Sequence, residues 1–238
     1  PRGKALGGCS SINGMIYMRG QARDYDSWAA QTGLDDWRWD KSLPDFMAHE
    51  DHYRMDPGAS SSVAGDAAFR QLHGNGGEWR IEKQRLRWDI LEAFADAAVA
   101  AGIERTEDFN QGDNAGVGYF EVNQKSGWRW NASKAFLRPA KSRPNLTIWT
   151  EAHVQKLNFR TDQGEPVCIG AQVLHQGRTV DVRAHAEVIL CAGAIGSPQI
   201  LQLSGIGDPD HLAGLGIPVV RDLPGVGGNL QDHLQIRA

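Results

Sequence analysis

The stretch Gly3-Lys4-Ala5-Leu6-Gly7-Gly8-Cys9-Ser10-Ser11-Ile12-Asn13-Gly14-Met15, continued by Tyr17, Arg19, Gly20, Asp24, Tyr25, Asp26 and Trp28, constrains this chain more than any other segment. Its glycines and Cys-Ser-Ser triplet leave a backbone almost without side-chain bulk, on which a large flat ligand can lie directly against main-chain N–H groups. The competing reading is a surface glycine loop that runs into a helix. The many specified positions beyond the glycines weigh against it.

The rest of the chain mixes helical and strand periods. Apolar and charged residues recur at helical spacing in 24–30, and again in 40–53 with Leu43, Phe46 and Met47 on one face. Residues 56–77 are rich in Gly, Ala and Ser and predict a mobile loop or lid, and 78–82 alternate as a short strand. A helix is expected over 89–101, with Ile90, Leu91, Phe94, Ala98 and Val99 on one stripe and Gly102 at the C-cap. The segments 146–160, 166–175 and 179–183, separated by Gly164 and Gly177, read as an antiparallel meander. Val188-Ile189-Leu190-Cys191 is the continuous apolar run of a strand buried on both faces. Ala192-Gly193-Ala194 breaks it, and Ser197-Pro198 supplies an N-cap and first-turn proline for a helix. A strand, a glycine turn and a helix in that order present free N–H groups and a positive dipole end to anything bound at the turn.

Composition excludes several function classes. A net charge of -4, from 25 basic and 29 acidic residues spread along the chain, leaves no electrostatic footprint for nucleic acid. No apolar run is long enough to span a bilayer. The eight tryptophans are not interleaved with basic clusters and are expected in the core or in cleft walls. Cys9, Cys168 and Cys191 form no metal-type or redox-type pair, which suits a reduced, cytoplasmic protein, with peripheral membrane attachment left open. Cys9 reads as a small packing residue. His49-Glu50-Asp51-His52 offers four potential ligands, but a polar run at the end of an amphipathic helix is read as its solvated face, and no metal site is assigned. His73-Gly74 and Gly76-Gly77 read as lid turns, and Asn131 and Asn145 head glycosylation-type triplets that matter only in a secreted protein.

The opening string resembles the first signature of the glucose-methanol-choline (GMC) flavin oxidoreductases. Residues 193–207, from Gly193-Ala194-Ile195-Gly196-Ser197-Pro198 to Ser204-Gly205-Ile206-Gly207, are similar to the second signature of that family. Further similar segments are 127–140, around Arg129, Ser133 and Leu137-Arg138-Pro139-Ala140, and 223–233, from Leu223-Pro224-Gly225 to Asp232-His233.

The resemblance implies a mixed α/β fold: part of an FAD/NAD(P)-binding-like domain carrying the meander, interleaved with part of a substrate-binding domain. It divides the chain into a flavin-contacting segment (1–30), a helical and lid region (31–77), substrate-domain residues (78–145), FAD-domain residues (146–230) and the start of a further substrate-domain strand (231–238). It implies a flavoenzyme that passes hydride from an alcohol to flavin N5, with a quinone or oxygen as electron acceptor. By the same resemblance Gly7, Gly8, Ser10, Asn13, Gly14 and Met15 lie along the isoalloxazine, Val154 meets the adenine with its backbone, and Ala192 and Gly193 approach the ADP portion. Some members carry, where this chain has Ile12, a histidine bonded covalently to the flavin; Ile12 has no nucleophile, so a dissociable FAD is expected. In choline-specific relatives a glutamate stands two residues after the equivalent of His233; here that position is Gln235, which favours an uncharged alcohol. His233 and Gln235 are the substrate-cleft candidates, with His233 expected as a satisfied buried histidine.

The family's Gly-x-Gly-x-x-Gly fingerprint is expected before Pro1 and its catalytic histidine beyond Ala238, so the chain reads as a central piece, inactive alone, with no catalytic base assigned within it. The alternatives are a hydroxynitrile-lyase-like use of the same fold and a non-catalytic piece that holds no flavin.

Overall fold

The helical periodicity of the early sequence is realised as a packed aromatic pair of helices. The computed structural model describes residues 2–57 and 67–236, which divide into two compact units, Pro1–Leu146 and Thr147–Ala238. In the first unit, α1 (Ala22–Thr32) opens with a reciprocal capping box between Gln21 and Asp24 and ends at Gly33, whose φ of 71° suits a residue without Cβ. The Tyr25 ring of α1 meets Trp39 at 5.5 Å and Phe46 at 5.8 Å on α2 (Trp39–His49).

Helix α2 stops at His49, earlier than the expected 53, because the next residues are needed in extended form. Glu50–His52 is strand β1, and its alternate residues Glu50 and His52 both point inward, 1% and 0% exposed. They are therefore not a solvated helix face. Helix α3 (Ala67–Arg70) leads to His73 and Gly74, both buried, so this part of the expected lid is packed structure; residues 58–66 of that expectation lie outside the described residues. A Cβ on Gly74 would sit 1.9 Å from the Met47 carbonyl oxygen, which is why the chain passes here only as glycine.

Strand β2 (Trp79–Lys83) pairs in parallel with β1 and antiparallel with β3 (Glu121–Val122), giving the order β1-β2-β3. Helix α4 (Asp89–Ala100) forms as expected, but its stripe is largely exposed, Ile90 at 71% and Phe94 at 61%, and the buried residue is Ala95. Strands β4 (Gln124–Lys125) and β5 (Trp128–Arg129) form a hairpin whose corner, Ser126 and Gly127, takes positive φ at both positions, as a primed turn requires. A wide helical turn, Ser133–Leu137, continues into α5 (Arg138–Ala140). Ile81, Phe69, Phe109 and Val122 are core residues of this unit. None of the eight tryptophans is fully buried; Trp37 and Trp79 instead wall a cleft of about 400 Å³ with Tyr17, Tyr25, Phe46 and Phe136.

In the second unit the meander is present as β6 (Ala152–Asp162), β7 (Glu165–His175) and β8 (Arg178–Arg183), antiparallel in that order, with β6 starting later than 146. Both corners, Gln163-Gly164 and Gln176-Gly177, take positive φ at the two central residues. Residues 188–191 do not form the expected buried strand: Ile189 is 77% exposed, and among the described residues no strand pairs with the run. An apolar run becomes a strand only where a neighbour completes its ladder. Helix α6 (Gly193–Leu203) starts before the expected cap, with Pro198 inside it, and the Ser197 hydroxyl accepts the Ala192 N–H at 3.0 Å instead of capping a later start. Ser204, just after α6, ties it to β6 by accepting the Leu157 N–H at 2.7 Å. Strand β9 (Ile206–Gly207) pairs in parallel with β10 (Arg221–Asp222), and between them α7 (Pro209–Gly214) is capped by the Asp208 side chain. No helix among the described residues is long and apolar enough to cross a membrane.

Candidate cofactor site

The opening segment folds as a tight 3-10 turn, Gly8–Ser11, entered through Gly7 at φ 94°. A Cβ on Gly7 would stand 2.7 Å from Ser11 Oγ, so the turn itself demands that glycine. Gly14 differs: its φ is ordinary and an added Cβ would meet no atom within 4 Å. Nothing in the described protein requires a glycine there. The omitted side chain leaves bare exposed backbone between Asn13 and Met15, the kind of surface that a flat ligand covers.

The turn is held by residues more than a hundred positions away. Ser10 Oγ donates to the Gly7 carbonyl at 2.5 Å and accepts the Ala132 N–H at 2.9 Å. Asn131 Nδ2 donates to Ser11 Oγ at 2.9 Å. Arg129 Nη1 donates to the Ser10 carbonyl at 3.1 Å and to Asn13 Oδ1 at 2.9 Å, and the same Oδ1 accepts the Met15 N–H at 3.1 Å. Beyond the turn, the Tyr17 N–H bonds to the Glu121 carbonyl and the Asn123 N–H to that of Met15, so the chain leaves the turn as an extra edge on β3. Cys9 is exposed, not a packing residue, and all three cysteines are free. Ile12 is exposed as well.

Directly downstream lies a buried ionic cluster absent from the sequence expectations. Arg19 Nη2 donates to Glu50 Oε2 at 2.7 Å, and the Gly74 N–H donates to the same oxygen at 2.7 Å. His73 places Nδ1 3.1 Å from Glu50 Oε1 and Nε2 2.9 Å from Asp108 Oδ2. Carboxylates only accept, so a ring that faces one at each nitrogen is an imidazolium. Burial opposes that charge, but the bonds to Asp108 and Glu50 overcome it and hold the His73 pKa above its ordinary value. Burial likewise works against the charge of Glu50 and Asp108, yet bonds from His73, with Arg19 also acting on Glu50, hold both carboxyls below their usual range. Beside this group, His52 Nε2 meets Glu121 Oε2 at 2.9 Å, and Arg54 reaches Glu121 Oε1 at 3.1 Å. Burial, and then Glu50, push the Tyr17 phenol far up.

Glu50, His52 and His73 offer ligand atoms within 4.8 Å of one another. Arg19 already holds Glu50, and an imidazolium has no free lone pair, so this donor set suits a charge network and not a cation. Its place is structural: Arg19 donates from its N–H to Asn110 Oδ1 and from Nη1 to the Leu72 carbonyl, which anchors the segment just after the glycine turn.

Of the expected site residues, Gly7, Gly8, Ser10, Asn13, Gly14 and Met15 come together in one turn. In the second unit Val154 lies on β6 opposite Val173, next to a register shift, and Ala192 and Gly193 are exposed at the start of α6. His233 and Gln235 are both exposed, so His233 is not the buried histidine expected. Its segment makes no strand or helix that would enclose it.

Bare backbone on a braced glycine turn, in a mixed α/β chain, is a surface that a flat cofactor can cover. Comparison with known proteins gives the particular family: the GMC oxidoreductase model matches residues 1–235, and the chain belongs to that family. It is 44% identical over 235 residues to the oxygen-dependent choline dehydrogenase of Staphylococcus saprophyticus, covering 99% of this chain and 39% of that protein. It is 39% identical over 236 residues to the alcohol dehydrogenase [acceptor] of Pseudomonas putida, covering 99% of this chain and 40% of the relative. Among solved structures, pyridoxine 4-oxidase from Mesorbium loti superposes with a TM-score of 0.81 at 33% identity, over 94% of this chain and 41% of that one. The chain therefore spans about two fifths of the length of the relatives it matches.

Proposed function

We propose that this protein takes part in FAD-dependent oxidation of a primary, uncharged alcohol, with a quinone or oxygen as the final electron acceptor. The observation that carries the reading is the bare Gly14 backbone on a turn braced by Arg129, Asn131 and Ala132, within a chain of the GMC family. When bound, FAD supplies the redox chemistry, accepting a hydride from the alcohol carbon. This chain's own residues bind and orient. Gly7, Gly8, Ser10, Asn13, Gly14 and Met15 form the isoalloxazine seat, while Val154, Ala192 and Gly193 serve the adenine and ADP portion. Ile12 has no group that can bond to the flavin, so FAD is held non-covalently. Gln235 at the substrate cleft, with His233 beside it in sequence, carries no charge to attract an ammonium group.

Relatives named choline dehydrogenases make the substrate question concrete, since 3,3-dimethylbutan-1-ol has the shape of choline without its charge. In the flavin-loaded protein that carries this chain, anaerobic addition of an alcohol should bleach the visible flavin band, and kcat/KM should favour the neutral isostere over choline. Absence of bound flavin, or a flavin that no alcohol bleaches, refutes the activity. Strong preference for choline refutes only the uncharged substrate class.

A further inference from the structure

Asn13 Oδ1 is occupied twice, by Arg129 Nη1 at 2.9 Å and by the Met15 N–H at 3.1 Å. Two donors on one oxygen settle which end of the amide is which, because an NH2 group in that place would face donors only. The Asn13 Nδ2 group is therefore turned the other way, exposed and, among the described residues, without a hydrogen-bond acceptor. It stands next to the bare backbone of Gly14.

Arg129 is an unusual partner for this role. Its guanidinium binds a carbonyl and an amide oxygen of the turn, and among the described residues no carboxylate lies within ion-pair distance of it. Every other cation in the neighbouring cluster, Arg19, Arg54 and His73, faces a carboxylate. A half-buried positive charge with no carboxylate partner, bonded to the residues of a ligand seat, favours a ligand that gains negative charge. Its carbonyl is in turn bonded by Lys134 Nζ at 2.7 Å, a second cation on the same brace.

We propose that Arg129 is a positioning residue for the cofactor: it locks the Asn13 amide so that its NH2 is offered to an acceptor atom of the isoalloxazine, and its unpaired charge stabilises the flavin after hydride uptake. This deepens the flavin reading above and rests on it. Hydride transfer moves two electrons and one proton from the alcohol carbon to the flavin, which adds one negative charge to the ring system. The hydroxyl proton leaves to a base that is no part of this proposal. Arg129 touches neither the alcohol nor the transferred hydrogen and acts only on the equilibrium and on the orientation of Asn13.

The test uses the flavin-loaded protein with three substitutions, reading the FAD dissociation constant of the apoprotein, the flavin midpoint potential against reference dyes, and thermal unfolding as a folding control. Arg129→Met should weaken FAD binding about tenfold or more and shift the oxidised-to-reduced ratio about tenfold toward oxidised, which is about 30 mV for a two-electron couple. Arg129→Lys keeps the charge, but its side chain is one bond shorter and its ammonium falls short of the place from which Nη1 alone bonds both oxygens, so it should restore most of the potential and little of the affinity. Asn13→Asp keeps the acceptor for Arg129 and Met15, deletes the NH2 and sets a carboxylate against Arg129, so it removes both proposed contributions at once. It should fold as well as the parent and still bind FAD at least tenfold more weakly. A potential unchanged in Arg129→Met, or full FAD affinity in Asn13→Asp, overturns the proposal. A parent protein that binds no FAD overturns the flavin reading instead, so the two failures are distinguishable.

Discussion

Replacing Glu50 with glutamine removes one charge from the buried cluster and asks how far Arg19 and His73 depend on it. The carboxylate accepts from Arg19 Nη2 at 2.7 Å, the Gly74 N–H at 2.7 Å and His73 at 3.1 Å, with its side chain wholly buried. Glutamine keeps one acceptor oxygen and turns an NH2 group toward a cation. Removing one partner of a buried ion pair costs about 3–5 kcal/mol, because the remaining charge stays desolvated. Relief is available from His73, which on losing its Nδ1 proton becomes an acceptor for that NH2 group and still donates to Asp108. The expected cost is therefore at the lower end, about 3 kcal/mol. At roughly 2–4 °C per kcal/mol for a protein of this size, the melting temperature should fall by about 6–12 °C. Thermal unfolding followed by near-ultraviolet circular dichroism reads this directly, since Tyr25, Trp39 and Phe46 pack against one another in the same unit. A loss below about 1 kcal/mol would mean that the cluster contributes little beyond its packing, and would refute the argument.

Three more outcomes follow from the same geometry. The raised pKa of His73 makes its contribution to stability complete below the ordinary histidine value of about 6.5 and lost as pH rises through the folded value, while the lowered pKa values of Glu50 and Asp108 make theirs complete above about 4 and lost as pH falls through the depressed values. The unfolding midpoint should therefore be highest between about pH 4.5 and 6.5, and in Glu50→Gln, where His73 loses a partner that holds its proton, the alkaline decline should be smaller and end at lower pH; a profile of the parent that rises steadily from pH 6 to 8 contradicts this. Gly14→Ala meets open space at an ordinary φ and should leave the midpoint unchanged or raise stability by about 0.4–1 kcal/mol while weakening FAD binding, whereas Gly74→Ala drives a Cβ against the Met47 carbonyl and should destabilise by about 1–3 kcal/mol. Acid precipitation of the flavin-loaded protein should release all of the FAD into the supernatant, and yellow protein in the pellet would show that Ile12 is no guide to covalent attachment.

Much of the fold was legible because it is written in local periods. Helices α1 and α4 and the meander β6 to β8 follow from 3.6-residue and two-residue spacing, and the corners Gln163-Gly164 and Gln176-Gly177 follow from glycine placement. The failures share one cause. In sequence Glu50 and His52 read as the exposed end of α2, because spacing on one helix does not reveal that Arg19, His73 and Glu121, far off in the chain, face them in the fold. Their separation by two positions, the strand period, was the available signal. The run 188–191 reads as a buried strand from hydrophobicity alone, yet a strand exists only with a neighbour to share its hydrogen bonds, and no residue of the run encodes one.

By itself, the sequence determined the family, the local elements and the glycine turn, since these depend on residue type and near neighbours. Tertiary structure alone decided what braces that turn. Arg129 and Asn131 reach Asn13 and Ser11 across more than a hundred residues of chain. It also decided that Gly7 serves the fold while Gly14 leaves open surface, a distinction of surrounding space that two identical residues cannot express in one dimension.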